Sequence, residues 1–388
     1  MNYVNERTRG LQQGAIRAMF DKAAKMEGVI SMGIGEPDMP TPIPICEAAT
    51  KAMNEGKTHY TPNAGIPELR EAIAQLSTVK NVNYNPATEI IVTNGGMGAL
   101  SLLMSVIINP DDEILIQDPQ WLNYVAQVEY YGGVPVRVPT HAENGFEMEP
   151  KVIESLVTDK TKAIMINSPN NPTGCVTSLK TLKEIADITK KHNLLVITDE
   201  VYNTLLFDGE SSISMSELPG MKERTVVINS FSKYMAMCGW RIGYAAGPDD
   251  IIDKMTKCQE NFNACANSVG QWAAVYALNH PELAKDLYNV FQERRTKILE
   301  LINKIEGVNY AIPKGAFYVF LNISSFGLSD TEFCNRLLET KKVVCIPGSA
   351  FGYCGEGYIR IAYTNSMENI EEAMSRITEF CDELGQKR

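Results

Sequence analysis

Between Glu89 and Gly247, short apolar runs alternate with amphipathic stretches. The runs Glu89–Thr93, Glu113–Gln117, Val134–Val138, Ala163–Asn167, Leu194–Thr198, Thr225–Asn229 and Arg241–Ala245 are mostly β-branched and apolar throughout instead of alternating. Such runs predict strands covered on both faces. Helical spacing fills several of the gaps: from Leu179 to His192, the residues Leu182, Ile185, Ala186 and Ile188 fall on one side. Strand–helix alternation of this kind predicts an α/β fold, a mostly parallel seven-stranded sheet wrapped by helices. After Pro248 the pattern changes. A helical region from about Asp249 to Ile305, broken near Asn279-His280-Pro281, precedes an apolar run at Ala316–Leu321 and a helix near Asp330–Lys341. Val343–Ile346, Tyr358–Ala362 and a last helix complete a smaller α+β unit. The expected division is a large domain over 46–280 and a small domain over 281–388. Residues 1–45, rich in Gly and Pro around Gly33–Pro44, belong with the small domain or bridge the two.

Composition narrows the class. The chain has 388 residues, enough for two or three ordinary domains or one large domain with a smaller companion. Acidic residues outnumber basic ones 47 to 36, a formal charge of −11, which repels nucleic acid and anionic lipid at long range. Neither is an expected partner. A small anion remains admissible, because one buried arginine decides locally. No apolar stretch is long enough to cross a bilayer, and Met1–Gly10 is polar, with no signal-peptide core. The nine cysteines are scattered without a C-x-x-C pair, which predicts reduced thiols and a cytoplasmic chain. The four histidines show no metal-ligand spacing, so no metal is expected.

In parallel sheets, ligands bind beyond the carboxyl ends of the strands. Asn94-Gly95-Gly96-Met97-Gly98 lies between a strand and a helix, where glycines and free N–H groups can cradle a phosphate or simply make a tight turn. Asp199-Glu200-Val201-Tyr202 follows another strand; its aspartate suits a helix cap or a catalytic carboxylate. Asn171-Pro172-Thr173-Gly174 follows a third and has ordinary turn chemistry. Ser230-Phe231-Ser232-Lys233 follows a fourth, with Arg241 eight residues beyond Lys233. A lysine among Met235, Ala236, Met237 and Cys238 has few polar neighbours, and burial favours the free amine as nucleophile and base. The same four residues match S-x-x-K of acylating serine enzymes, but Ser329-Asp330-Thr331 is an imperfect second motif and K-T-G is lacking. Each signal alone has a structural explanation. Their joint placement after strands of one sheet points to a single site.

Together these residues resemble the pyridoxal-phosphate aminotransferases of fold type I, the class I/II group of aspartate, alanine and aromatic aminotransferases. The likeness runs from Gly33-Ile34-Gly35-Glu36-Pro37-Asp38, through Ser-Phe-Ser-Lys, Asn-Pro-Thr-Gly and Asp-Glu-Val-Tyr, to Gly315-Ala316-Phe317-Tyr318 and Gly357-Tyr-Ile-Arg-Ile-Ala362. The resemblance implies a pyridoxal 5′-phosphate (PLP) cofactor bound as a Schiff base on Lys233. It implies that Asp199 pairs with the pyridine nitrogen and keeps it protonated, which makes the ring an electron sink. Tyr202 and Asn171 would meet the ring's phenolic oxygen, and Trp121 would stack on the ring. Gly95, Gly96 and Met97 with Ser230 and Arg241 would hold the phosphate, and Tyr60 would reach the phosphate of the partner subunit in a homodimer. Arg360, helped by the Gly35 backbone, would clamp the substrate carboxylate beside Asn171 and Trp121.

One departure is Met97, where many relatives carry a hydroxyl residue. No second arginine stands out for a dicarboxylic substrate, and Met39, Tyr60 and Trp121 suit an apolar or aromatic side chain equally well. The function implied is a ping-pong transamination from an L-amino acid to a 2-oxo acid, 2-oxoglutarate by expectation. The substrate stays open among aspartate, aromatic and other apolar amino acids. The rivals are a PLP-dependent carbon–sulfur β-lyase and, remotely, a non-catalytic PLP-binding regulatory domain, for which the first 45 residues hold no convincing DNA-binding unit.

Overall fold

The computed structural model describes residues 15–76 and 82–385, with Tyr3 and Thr8. The polar start Met1–Gly10 thus lies almost wholly outside the described residues. Helix α1 (Ala15–Ala23) leads to a two-residue strand β1 (Ile30–Ser31), then α2 (Ile43–Asn54) and α3 (Pro67–Ala74). The alternating region follows as β2 (Ile90–Thr93), α4 (Gly95–Ile107), β3 (Glu113–Asp118), α5 (Asn123–Tyr130), β4 (Val134–Pro139) and α6 (Pro150–Leu156). It continues with β5 (Thr161–Asn167), α7 (Leu179–Lys191), β6 (Leu195–Asp199), β7 (Thr225–Ser230), a one-turn α8 (Phe231–Tyr234) and β8 (Gly243–Ala246). Beyond them lie α9 (Asp249–Asn263), α10 (Ser268–Asn279), α11 (Leu283–Ile302), β9 (Asn309–Tyr310), β10 (Tyr318–Asn322) and α12 (Asp330–Lys341). The strands β11 (Val343–Val344), β12 (Ile346–Pro347) and β13 (Tyr358–Ala362) precede the last helix, α13 (Met367–Gly385).

The seven-stranded sheet has the order β2-β8-β7-β6-β5-β3-β4. Every residue of β2, β7 and β8 is buried, as continuous apolar runs between two helical layers require. Only β8 runs antiparallel, to both β2 and β7. That reversal corrects one expectation. Arg241 is not in a strand: β8 starts two residues later, Arg241 has a left-handed backbone (φ 56°), and its guanidinium Nη1 donates to the Cys238 carbonyl at 2.9 Å. Because β8 is antiparallel, a residue before it reaches the same sheet edge as residues after the other strands.

The helical stretch after Pro248 breaks twice, not once. Besides the expected break near Pro281, α9 stops at Ala264, whose φ is +61°. Asn63 donates to the Ala264 carbonyl at 2.7 Å, and Asn267 restarts the chain by capping the Gly270 N–H at 2.6 Å. Such caps contribute about 1 kcal/mol. No glycine or proline marks this break, so the spacing alone runs through it.

The smaller unit holds an antiparallel sheet, β12-β13-β10-β9. Its core contains Phe291, Phe317, Phe320, Phe333 and Phe351, all fully buried, and burying each contributes roughly 2–3 kcal/mol. Strand β1 pairs in parallel with β11 (Ile30 opposite Val343), so the segment after α1 is sewn into this unit. Among the described residues no helix is long and apolar enough to cross a membrane, and no cluster of His, Cys, Asp or Glu could hold a metal ion. All nine cysteines are free thiols.

Candidate active site

One cavity of about 360 Å³ opens where the carboxyl edge of the large sheet meets the smaller unit. Of the residues expected from the sequence, Gly35, Gly96, Met97, Trp121, Asn171, Asp199, Tyr202, Ser230, Lys233, Arg241 and Arg360 line it. Two do not. Gly95 stands one residue back from the wall, and Tyr60 is 89% exposed, outside the cavity. Met39 also lies elsewhere, in a groove with Pro40, Met53 and Trp240.

At one end, helix α4 begins directly after β2, and no side chain caps its first turn. Its Gly96 and Met97 face the cavity beside Ser230 and Arg241. Gly95 allows this approach: a Cβ there would sit 2.6 Å from Arg241 Nη2, on a backbone at φ +72°. Gly243 is equally constrained, since its Cβ would fall 2.6 Å from the Gly96 nitrogen. A guanidinium beside free N–H groups at a helix start is an anion site. The Met97 thioether is approached by Asn123 Nδ2 at 3.6 Å and Gln127 Nε2 at 3.7 Å, a weak substitute for a hydroxyl.

In the middle, Asp199 ends β6 with 3% exposure. It caps no helix. Its Oδ1 accepts from the Val201 N–H at 3.2 Å, and its Oδ2 accepts from Tyr124 Oη at 2.7 Å. Burial raises its pKa to about 6 against these two hydrogen bonds, and no cation pairs with it among the described residues. Tyr124 is itself buried, edge-on to Trp121 at 5.3 Å between centroids. Tyr202 shares a 2.8 Å hydrogen bond with Tyr318, and burial pushes the Tyr202 phenol well up.

Lys233 is half-buried, and its neighbours differ from those expected. Met235 and Met237 turn into a separate apolar cluster, while Lys233 Nζ donates to the Gly35 carbonyl at 2.5 Å and lies 3.6 Å from Cys238 Sγ. At the far end, Arg360 on β13 is 3% exposed. It donates to Asn171 Oδ1 at 2.9 Å and to the Gly33 carbonyl at 2.6 Å, between the rings of Tyr318 and Phe351. Its buried Nε has no hydrogen-bond partner among the described residues, and desolvation lowers its pKa. A buried guanidinium with no carboxylate beside it, among the described residues, is built for an incoming anion.

The family profile for aminotransferase class I and II matches residues 27–377, nearly the whole chain. The chain belongs to this family. It is 44% identical to the aspartate aminotransferase of Pyrococcus abyssi over 366 residues (93% of this chain, 94% of the relative). It is 40% identical to an aromatic-amino-acid aminotransferase of Thermococcus litoralis, covering 98% of each. The crystal structure of the aromatic aminotransferase from Pyrococcus horikoshii superposes with a TM-score of 0.89 at 41% identity, covering 94% of this chain and 99% of that one. The protein is therefore a PLP-dependent aminotransferase of fold type I, which moves the amino group of an amino acid to a 2-oxo acid.

The aminotransferase cavity fits its cofactor on its own evidence. The anion site at Gly96 and Arg241 suits a phosphate, the buried carboxyl of Asp199 suits a protonated ring nitrogen, and Lys233 supplies a primary amine between them. Sequence reasoning missed Tyr124 as the partner of Asp199. Its position three residues after Trp121, on the same turn, was the available signal. It also left Tyr318 as a motif letter. The ring explains the glycine opposite, since a Cβ on Gly35 would fall 2.1 Å from its hydroxyl.

Proposed function

We propose a homodimeric transaminase of a reducing compartment, expected to be the cytoplasm, that works by ping-pong exchange. When bound, PLP supplies an aldehyde that captures amino groups and a pyridine ring that withdraws electrons from the substrate Cα. Lys233 would hold the cofactor through its amine and, when that amine is free, would move the proton at the substrate Cα. Asp199 would hold a proton on the ring nitrogen, and Tyr202 and Asn171 would meet the ring oxygen. Trp121 flanks the ring face. Gly96, Met97, Ser230 and Arg241 hold the phosphate, with Gly95 admitting Arg241 and Tyr60 arriving from the partner subunit. Arg360 fixes the substrate carboxylate and so orients the bond broken at Cα. The division expected from the sequence, a large domain over 46–280 and a small one over 281–388 bridged by 1–45, places Arg360 on the unit opposite Lys233.

The observation that carries this assignment is the pair of buried groups Asp199 and Arg360, neither with an opposite charge among the described residues, in one cavity with one lysine. The same cavity bears on the substrate. Its described cations are Lys233, Arg241 and Arg360, each with a task, and its rim carries Phe20, Ile34 and the acidic Glu36. An apolar or aromatic side chain is better supported than that of aspartate.

The test is a panel of amino acids against 2-oxoglutarate and pyruvate, run with wild type and Lys233→Ala. Wild type should favour neutral amino acids, and the variant should lose at least about 10⁴-fold in turnover while remaining folded. Borohydride treatment of PLP-loaded wild type should label Lys233 in the peptide map. Normal turnover by Lys233→Ala, or a label on another lysine, overturns the assignment. Ammonia and pyruvate released from a thioether amino acid would favour the lyase instead. Mixing Tyr60→Phe and Lys233→Ala subunits tests the shared site, since only a dimer exchanging Tyr60 yields one fully wild-type site per pair.

A further inference from the structure

The residues Gly33–Glu36 line the cavity between Lys233 and Arg360, and the chain runs on through Pro37 to Asp38 outside it. Its carbonyls are tied one after another. Gly33 accepts from Arg360 Nη2 at 2.6 Å, Ile34 from Thr364 Oγ1 at 2.7 Å and Gly35 from Lys233 Nζ at 2.5 Å. The Asp38 N–H adds a 3.2 Å bond to the Thr364 carbonyl, just past the strand that carries Arg360. The last tie differs in kind. Both Asp38 carboxylate oxygens receive the fork of Arg294 on α11, at 2.6 and 2.9 Å. The Arg294 side chain is only 8% exposed, and this is the one ion pair it makes among the described residues. A two-point fork fixes orientation as well as distance.

We propose that Asp38 and Arg294 are positioning residues for the substrate carboxylate. Lys233 leaves the Gly35 carbonyl when it takes up its catalytic work, which removes one tie on the rim. The Arg294 fork keeps the rim in place against α11, so that the Gly35 backbone and Arg360 still converge on one carboxylate. This explains why the rim motif ends in an aspartate that lines no part of the cavity. The proposal rests on Arg360 as the carboxylate clamp, and the experiment separates the two.

The holoenzyme and its Asp38→Asn, Arg294→Gln, doubly substituted and Arg360→Lys variants are titrated calorimetrically with 3-phenylpropionate, a carboxylate lacking the reactive amine. Cofactor affinity, melting temperature, kcat and KM are measured alongside. Asp38→Asn should weaken probe binding and raise KM by about tenfold, with kcat within about threefold and cofactor affinity unchanged. It should also lower the melting temperature by leaving Arg294 buried and unpaired. The double variant should regain that stability without regaining probe affinity, which a merely structural ion pair would not do. Unchanged probe affinity in Asp38→Asn, or its recovery together with stability in the double variant, overturns the brace. Unchanged affinity in Arg360→Lys overturns the clamp and the brace with it.

Discussion

Asp199 and Glu200 are consecutive, both 3% exposed, and lie on opposite faces at the end of β6. Burial raises both: Asp199 to about 6 and Glu200 to about 7. Their surroundings differ. Asp199 opens on the cavity with one phenol donor, whereas Glu200 turns away from it, held by Ser214 Oγ at 2.7 Å and Thr198 Oγ1 at 3.3 Å. Glu200 is closed in by hydroxyl groups, and burial raises its pKa against the hydrogen bonds they donate. Asp199 has the space and the unmet charge to take a cationic ring nitrogen. A perturbed carboxyl therefore does not mark a site; a perturbed carboxyl facing a cavity with an amine and a guanidinium does.

The largest test of that contrast is Asp199→Asn. Cofactor should still bind through the phosphate end, while Cα–H exchange, followed by deuterium NMR, slows by roughly 10²–10⁴-fold. Unchanged exchange would erase the difference between the two faces. Next comes Tyr124→Phe, which removes the hydrogen bond on Asp199 Oδ2 and no cavity volume. Hydrogen bonds to charged groups contribute about 1.5–3 kcal/mol, so turnover should fall by about tenfold. The acid limb of its pH profile should move upward, because Asp199 loses a bond that favours its ionised form. A profile identical to wild type would show that Tyr124 does not tune Asp199.

The smallest effect on catalysis is expected from Glu200→Gln, with turnover within about twofold of wild type because the neutral amide keeps similar bonds. Its effect appears in stability. The Glu200 carboxyl stands at about 7 when folded against an ordinary 4.5, so the folded state binds the extra proton between those values. Stability from this group is full below pH 4.5 and is lost as pH rises through 7, by about 3 kcal/mol in all. Glu200→Gln lacks that loss. The melting temperature of wild type should therefore fall more steeply than the variant's between pH 5 and pH 8. Parallel curves would place Glu200 in a wetter setting than its neighbours indicate.

Much of this was legible from local pattern. The seven apolar runs become the seven strands, and cavity-lining residues cluster at their ends because a parallel sheet brings those ends to one edge. Arg241 escaped the pattern, since a residue before a strand reaches that edge only if the strand runs backwards, and direction is a pairing property. The break at Ala264 escaped because Asn63, about two hundred positions earlier in the chain, stabilises it. The Tyr124–Asp199 bond spans 75 residues and the Arg294–Asp38 fork 256. The Arg294–Asp38 pair carries no local mark, and Tyr124 carries only its place one turn after Trp121.

By itself the amino-acid order determined which segments become strands and helices, which chemical groups follow each strand, and the family they signify. Apolar periodicity and turn chemistry act over a few residues and can be seen there. Only the folded chain decided which charges stay without a partner. Desolvation of Asp199 and Arg360, and pairing of Arg294, arise from atoms brought within a few ångströms by segments far apart in sequence, and the electrostatics depend on that distance and on the water it excludes.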